Sequence, residues 1–211
     1  MYKRQVDEWE LDIVASGSQK GYMIPPGLSF IAMSQKAWKA AEKSDLPKFY
    51  LNLKSYKKSL LANSNPYTPA VNLIFALDEA LKMMREEGLD NIFLRHNKHK
   101  LAMSNAIKAL NLKLFADEKY LSPSITAIKT EGIDAEEFRK TIKNNFDILL
   151  AGGQDHLKGK IFRVGHLGYV CDRDIITVVS AISNTLLKLG KITAQQAGEA
   201  LVIVSKYLAE N

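Results

Sequence analysis

Residues 12–21 read Asp-Ile-Val-Ala-Ser-Gly-Ser-Gln-Lys-Gly. The first five predict a short buried strand, and the rest form a loop of small polar residues around Lys20. Small residues leave room for a flat ligand, and their N–H and hydroxyl groups offer hydrogen-bond donors to an anion. A desolvated lysine in such a loop is a candidate nucleophile. Spacing alone favours the commoner case, an exposed lysine in a polar turn.

The rest of the first half is predicted to be mostly helical. A second strand at 28–33 is followed by Ser34, which is suited to cap a helix over 35–43. Residues 44–69 are rich in turn formers, with one short helical piece near 55–62. Apolar residues then recur with a period near 3.6 over 71–87, a pattern that ends at Gly88, and a second long helix continues over 89–110.

A change of composition after Leu110 marks a second region. Strands are predicted at 124–128, 147–151 and 161–165, and helices at about 134–145, 172–190 and 193–209. Three capping signals support the helices: Asp134 with Glu137, Asp172, and Thr193 with Gln196. This order of elements predicts a small α/β sandwich with its helices on one face of the sheet.

Composition narrows the functional classes. The 211 residues are 46% hydrophobic and include one cysteine, Cys171, which excludes an intrachain disulfide and a cysteine-ligated cluster. Cys171 stands before a predicted helix, where a packing role is expected. The formal charge is +6, but the lysines alternate with glutamates, so nucleic-acid binding is not expected. No apolar run is long enough for a membrane span and no secretory signal is visible, so a cytoplasmic location is expected.

Other candidate chemistry rests on single residues. Arg163 lies in an otherwise apolar strand and is suited to bind a carboxylate, although the strand's alternation equally allows an arginine facing solvent. His96 and His99 share a helix face but lack an obvious third ligand, so a solvated surface is expected rather than zinc. The run 153–160 differs from a phosphate-binding loop in its glycine spacing and is rejected as one.

Three segments together resemble class V aminotransferases, pyridoxal-phosphate enzymes of fold type I. Residues 7–27 resemble the segment with the cofactor lysine, 65–69 an interface loop that contacts the phosphate, and 151–166 the segment that binds the substrate carboxylate. The segments resemble the serine–pyruvate and alanine–glyoxylate branch, and are close to bacterial members labelled soluble hydrogenase small subunit. The resemblance implies an α/β fold, with the remainder of a large cofactor domain at 1–110 and a small domain at 111–211.

The resemblance also implies a role for each site residue. Lys20 would bind pyridoxal 5'-phosphate covalently and carry a proton between the substrate and the cofactor. Gln19 would hold the cofactor phosphate, and Thr68 would reach it from the neighbouring subunit, so a homodimer with a shared site is expected. Arg163 would bind the α-carboxylate of the substrate. The reaction implied is amino-group transfer from an amino acid such as alanine or serine to a 2-oxo acid such as glyoxylate or pyruvate.

Two departures from the family pattern accompany the resemblance. Asn65 stands where relatives of the alanine–glyoxylate type carry a tyrosine that contacts the phosphate. Family members are also longer, so an N-terminally truncated chain is expected, without the aspartate that pairs with the pyridine nitrogen. A non-catalytic remnant that serves only as an interaction module is therefore the alternative. One cysteine cannot supply the several thiolates of a nickel–iron centre, so the hydrogenase label does not predict hydrogen activation.

Overall fold

In the computed structural model, residues 6–209 are described, and they divide into two compact units. The N-terminal unit comprises residues 6–86 and the C-terminal unit residues 87–209. The unit boundary lies ahead of the predicted domain boundary after residue 110, because the helix over 89–109 contributes to the core of the C-terminal unit. No helix in the described part of the chain is both long enough and apolar enough to cross a bilayer.

The N-terminal unit is built on a two-stranded antiparallel sheet. Strands β1 (Ile13–Gly17) and β2 (Ser29–Met33) pair with Ile13 opposite Met33. Helices α1 (Gln35–Glu42), α2 (Leu53–Leu61) and α3 (Val71–Glu87) follow. The expected cap of α1 is confirmed, since Ser34 Oγ accepts from the Ala37 N–H at 3.1 Å. The prediction that β1 is buried was wrong: Ile13 is 59% exposed, because a two-stranded sheet buries its side chains only where another element packs on its face.

The C-terminal unit contains a four-stranded antiparallel sheet in the order β3-β4-β6-β5. The strands are β3 (Lys113–Leu114), β4 (Ile125–Lys129), β5 (Ala151–Gly152) and β6 (Ile161–Gly165). The helices are α4 (Leu89–Ala109), α5 (Ala135–Phe146), α6 (Asp172–Lys188) and α7 (Ala194–Ala209). Short 3₁₀ turns lie at Glu118–Tyr120 and Asp155–Leu157.

One hydrophobic core joins all four helices to a single face of this sheet. Ile128 and Phe162 are cross-strand partners and both are fully buried, and Val164 lies on the same face. The Phe138 ring on α5 packs against Phe162 with their centroids 5.2 Å apart. The predicted small sandwich with helices on one face is therefore confirmed.

Two predicted boundaries in this unit were wrong. The strand predicted at 147–151 is reduced to Ala151–Gly152, because Asp147 adopts a left-handed conformation that ends α5, and Ile148 and Leu150 then pack into the core without strand pairing. The residue that caps α6 is Cys171, and Asp172 is the first residue of the helix. Asp174 instead accepts a hydrogen bond from the Cys171 N–H at 2.9 Å.

Candidate active site

The loop that carries Lys20 is closed by a buried serine. Ser18 is fully buried; its Oγ donates to the Pro25 carbonyl at 2.7 Å and accepts from the Leu28 N–H at 3.2 Å. Its own N–H donates to the Leu28 carbonyl at 3.0 Å. The prediction that the hydroxyl groups of this loop donate to an anion was wrong for Ser18, because its hydroxyl already donates to the Pro25 carbonyl. Ser18 instead fixes both ends of the loop.

Gln19 and Lys20 lie at the exposed tip of this loop. The Gln19 amide folds back over Gly17, where an added Cβ would lie 2.7 Å from Gln19 Oε1. The Lys20 carbonyl accepts from the Met23 N–H at 3.0 Å, which tightens the turn. Within residues 6–209, the side-chain nitrogen of Lys20 has no hydrogen-bond or ion-pair partner. Its amine is therefore available to a ligand.

Thr68 belongs to the same unit and lies in the irregular segment between α2 and α3. Its side chain is exposed, and its hydroxyl makes no hydrogen bond to any described residue. The neighbouring Tyr67 is anchored, since its hydroxyl donates to the Phe49 carbonyl at 3.0 Å and its ring contacts Tyr50 with centroids 4.7 Å apart. The anchored Tyr67 holds the backbone of the segment that presents Thr68.

Arg163 lies in the C-terminal unit on β6, on the face opposite to the hydrophobic core. Its cross-strand neighbours are both alanines, Ala127 on β4 and Ala151 on β5, which leave space for a long side chain. Arg163 is half-buried, and its Nε donates to the Gly152 carbonyl at 2.8 Å. No carboxylate of residues 6–209 pairs with its guanidinium. The two terminal nitrogens thus retain N–H donors for an external carboxylate.

Polar residues of α4 hold the loop that follows β6, and sequence reasoning missed them. Arg95 binds Glu87 through two hydrogen bonds of 2.6 and 2.9 Å, and this contact lowers the pKa of the Glu87 carboxyl. The same guanidinium donates to the carbonyls of Gly168 and Val170 at 3.0 and 2.8 Å. These partners lie more than 70 residues apart in the sequence, so no local pattern could predict them.

The expectation that His96 and His99 lie on a solvated helix surface was wrong. His99 is fully buried and its Nε2 lies 2.8 Å from Asp172 Oδ1, while His96 accepts from the Gly168 N–H at 3.2 Å. Burial lowers the pKa of both imidazoles. Among the described residues, no group of three or more His, Cys, Asp or Glu side chains is placed to hold a metal ion. Cys171, for which a packing role was expected, is exposed at the start of α6.

The described residues form an α/β fold with an exposed lysine on a closed loop, and comparison with known proteins identifies the family. The profile of aminotransferase class V matches residues 2–169, so this chain belongs to the class V aminotransferases. The chain is 56% identical over 185 residues to the soluble hydrogenase small subunit of a Synechococcus strain, covering 88% of this chain and 48% of that protein. It is 36% identical over 215 residues to the serine–glyoxylate aminotransferase of Methylorubrum extorquens, covering 98% of this chain and 53% of that protein.

A solved structure shows the same fold. The ureidoglycine–glyoxylate aminotransferase of Bacillus subtilis superimposes with a TM-score of 0.88 at 30% identity, over 97% of this chain and 54% of that one. The chain spans about half the length of the curated relatives it matches. The predicted α/β fold and the predicted family are therefore confirmed. The roles of Lys20, Gln19, Thr68 and Arg163 stay predictions.

Proposed function

We propose that this chain carries part of a pyridoxal-phosphate site for transfer of an amino group from an amino acid to a 2-oxo acid. The observation that carries the proposal is Lys20, whose unpaired amine stands at the tip of a loop that buried Ser18 holds closed. The names of two similar proteins include glyoxylate, which supports a small 2-oxo acid as acceptor. Serine or alanine is the proposed donor, and glyoxylate or pyruvate the proposed acceptor.

The residues present fit the cofactor. Gln19 and Thr68, like Lys20, have exposed polar side chains with no hydrogen-bond partner in the described part of the chain. Lys20 would hold the cofactor covalently, Gln19 would donate to its phosphate, and Thr68 would donate to the phosphate from a second copy of the chain. When bound, pyridoxal phosphate acts as an electron sink that acidifies the Cα–H bond of an amino acid.

The chain's own residues supply binding and proton transfer. The Arg163 guanidinium would bind the α-carboxylate through its terminal nitrogens, while its Nε stays on the Gly152 carbonyl. A planar guanidinium grips a carboxylate at two points, which restricts how the substrate turns about that bond. Lys20 Nζ would accept the proton released from the substrate Cα and return it at the end of the transfer.

Trapping of the cofactor tests this proposal. The 211-residue chain is incubated with pyridoxal phosphate, reduced with borohydride and analysed by peptide mass spectrometry. We expect one reduced adduct on Lys20 that is lost in Lys20→Ala. The matched control is Lys39→Ala, since Lys39 is an exposed lysine of the same unit on α1. That variant should keep the adduct.

Two outcomes would contradict the proposal. An adduct that persists in Lys20→Ala at the wild-type level would show that the cofactor reacts with surface lysines in general. Absence of an adduct in the wild-type chain would favour the alternative, a non-catalytic interaction module. The hydrogenase name of one relative finds no support in the residues, because the chain has a single cysteine where a nickel–iron centre needs several thiolates.

A further inference from the structure

Strand β5 forms one edge of the four-stranded sheet. Arg163 is held by a backbone carbonyl that points away from the sheet at this edge. The Gly153 N–H donates to the Ile161 carbonyl of β6 at 3.1 Å. The C=O and N–H of one peptide group point in opposite directions, so the Gly152 carbonyl points away from β6, towards the free edge. The Leu150 carbonyl, two residues earlier, has the same direction.

Arg163 reaches this edge by crossing β5. It starts on β6, passes beside its cross-strand neighbour Ala151, and donates from Nε to the outward Gly152 carbonyl at 2.8 Å. A larger side chain in place of Ala151 would stand in that path. The Gly152 carbonyl therefore sets where the guanidinium points, and any movement of β5 is transmitted to it.

A second arginine, Arg139 on α5, holds the same edge. Its Nε donates to the Leu150 carbonyl at 2.8 Å, and its Nη1 donates to Glu136 Oε2 at 2.7 Å. The pair lies directly against Gly152: an added Cβ there would stand 2.5 Å from Arg139 Nη1 and 2.7 Å from Glu136 Oε1. The absence of a side chain at Gly152 thus allows Arg139 to pack against the peptide that Arg163 binds.

We propose that Arg139 is a positioning residue for Arg163. By bonding the Leu150 carbonyl and packing on Gly152, Arg139 fixes the edge strand whose next outward carbonyl orients the Arg163 guanidinium. Arg139 touches neither cofactor nor substrate in this scheme. The effect of Arg139 on substrate binding rests on the proposed function, in which Arg163 binds a carboxylate. The effect of Arg139 on the position of the Arg163 side chain is independent of that function.

The test measures the Arg163 side chain and its ligand separately. Solvent exchange of the Arg163 Nε–H is followed by NMR, with the resonance assigned from its loss in Arg163→Lys, and pyruvate is titrated by calorimetry. The variants are Arg139→Ala, Arg139→Lys, the milder Glu136→Gln and, as a control, Lys113→Ala. Lys113 also forms an ion pair in this unit, at 2.7 Å with Glu131, but on β3 at the opposite edge of the sheet.

In Arg139→Ala we expect the Nε–H to exchange about tenfold faster and pyruvate to bind about threefold to tenfold more weakly, the effect of loosening one hydrogen bond. Arg139→Lys should fall between Ala and wild type, since an amine can bond the Leu150 carbonyl but lacks the flat guanidinium that packs on Gly152. Glu136→Gln should show a smaller change in the same direction, and Lys113→Ala none. A merely structural loss would change the backbone amide spectrum of β4 and β6 as well.

The two proposals fail in different ways. Wild-type Nε–H exchange in Arg139→Ala would overturn the positioning role, whatever pyruvate does. Wild-type pyruvate affinity in Arg163→Ala would overturn the carboxylate-binding role of Arg163 and leave the exchange result to decide on Arg139. A third outcome combines faster Nε–H exchange and unchanged pyruvate affinity in Arg139→Ala with loss of pyruvate binding in Arg163→Ala. It would show that the Gly152 contact does not orient the ligand, and it would also overturn the inference.

Discussion

At the scale of single residues, His166 shows how burial sets the pH range in which this chain is stable. The imidazole is fully buried at the end of β6, and its Nε2 lies 2.8 Å from Thr126 Oγ1. Burial, aided by the nearby His99 and opposed by backbone hydrogen bonding at Pro123, lowers the pKa of His166 to about 4. The folded chain therefore contains the neutral ring at neutral pH.

We expect stability to fall as the pH drops from about 6.5 to about 4. Over this range the unfolded chain takes up a proton on His166 that the folded chain does not, so acid favours unfolding. The difference between the two pKa values corresponds to roughly 3 kcal/mol at the acid end. The pKa values of His96 and His99, also lowered by burial, act in the same direction. Urea unfolding of the C-terminal unit at a series of pH values measures the slope.

His166→Gln removes the titration and keeps a polar side chain beside Thr126. The variant should be less stable than wild type at pH 7 but should lose less stability on acidification. His156→Gln, which changes an exposed histidine, is the control and should keep the wild-type slope. An unchanged slope in His166→Gln would contradict the assignment.

At the scale of elements, Gly27 is a position where only glycine fits. It lies in the connection between β1 and β2 with φ at +141°, and an added Cβ would stand 2.5 Å from Leu73 Cδ1 on α3. Gly21 lies in the same connection with nothing within 4 Å of an added Cβ. The two glycines therefore form a matched pair for substitution.

Gly27→Ala is expected to destabilise the Lys20 loop by about 1–2 kcal/mol, from the strained backbone and the displaced Leu73. Hydrogen exchange at the Ser18 and Leu28 amides, which close the loop, should be about fivefold to thirtyfold faster. Gly21→Ala should leave both amides unchanged. Equal exchange rates in the two variants would show that Gly27 does not hold the loop.

The sequence predicts elements well where a local signal exists. The cap at Ser34, the end of α3 before Gly88, and the reciprocal bonds of Thr193 with Gln196 all follow from contacts within a few residues. β3 has two residues and no pattern to find. Residues 147–151 are predicted as a strand because Ile148 and Leu150 are apolar, and burial in a core selects the same residues as pairing in a sheet.

The site was predictable only in part for the same reason. Lys20 and Arg163 stand in recognisable segments, whereas nothing in the sequence distinguishes Arg139 from the other charged residues of an amphipathic helix. Its role depends on Leu150 and Gly152, and only the fold places them against it. The one signal in the sequence is the pair of adjacent glycines at 152 and 153, since glycine in a strand often marks a place where another group approaches closely. An added Cβ would lie 2.5 Å from Arg139 Nη1 at Gly152 and 2.1 Å from the Leu157 carbonyl oxygen at Gly153.

At the scale of the whole molecule, the N-terminal unit exposes an unusual amount of apolar surface. Between residues 46 and 61, five large side chains are each more than 70% exposed: Leu46, Phe49, Leu51, Leu60 and Leu61. These side chains lie within 16 residues of chain, and large exposed apolar patches are rare on monomeric proteins and favour association. We therefore expect the 211-residue chain to associate in solution.

Sedimentation velocity over a concentration series should show species larger than the monomer. In the double variant Phe49→Ser and Leu51→Ser, the protein concentration needed for association should rise by about tenfold or more, because each side chain would bury apolar area in the associated form. Val202→Ser is the control, since Val202 is 69% exposed but lies in the C-terminal unit. A sharp monomer boundary for the wild-type chain at all concentrations would show the expectation to be wrong.

Arg139 and Arg163, which bind the sheet edge at β5, have a second consequence for the molecule. A free sheet edge is a template for strands of other molecules, because its outward carbonyls and N–H groups lack partners. Here the outward carbonyls of Leu150 and Gly152 are each occupied by an arginine, one from either face of the sheet. The side chains that would orient a substrate thus also protect the edge from amyloid-like strand addition, and selection for solubility would preserve them even in a chain that had lost catalysis.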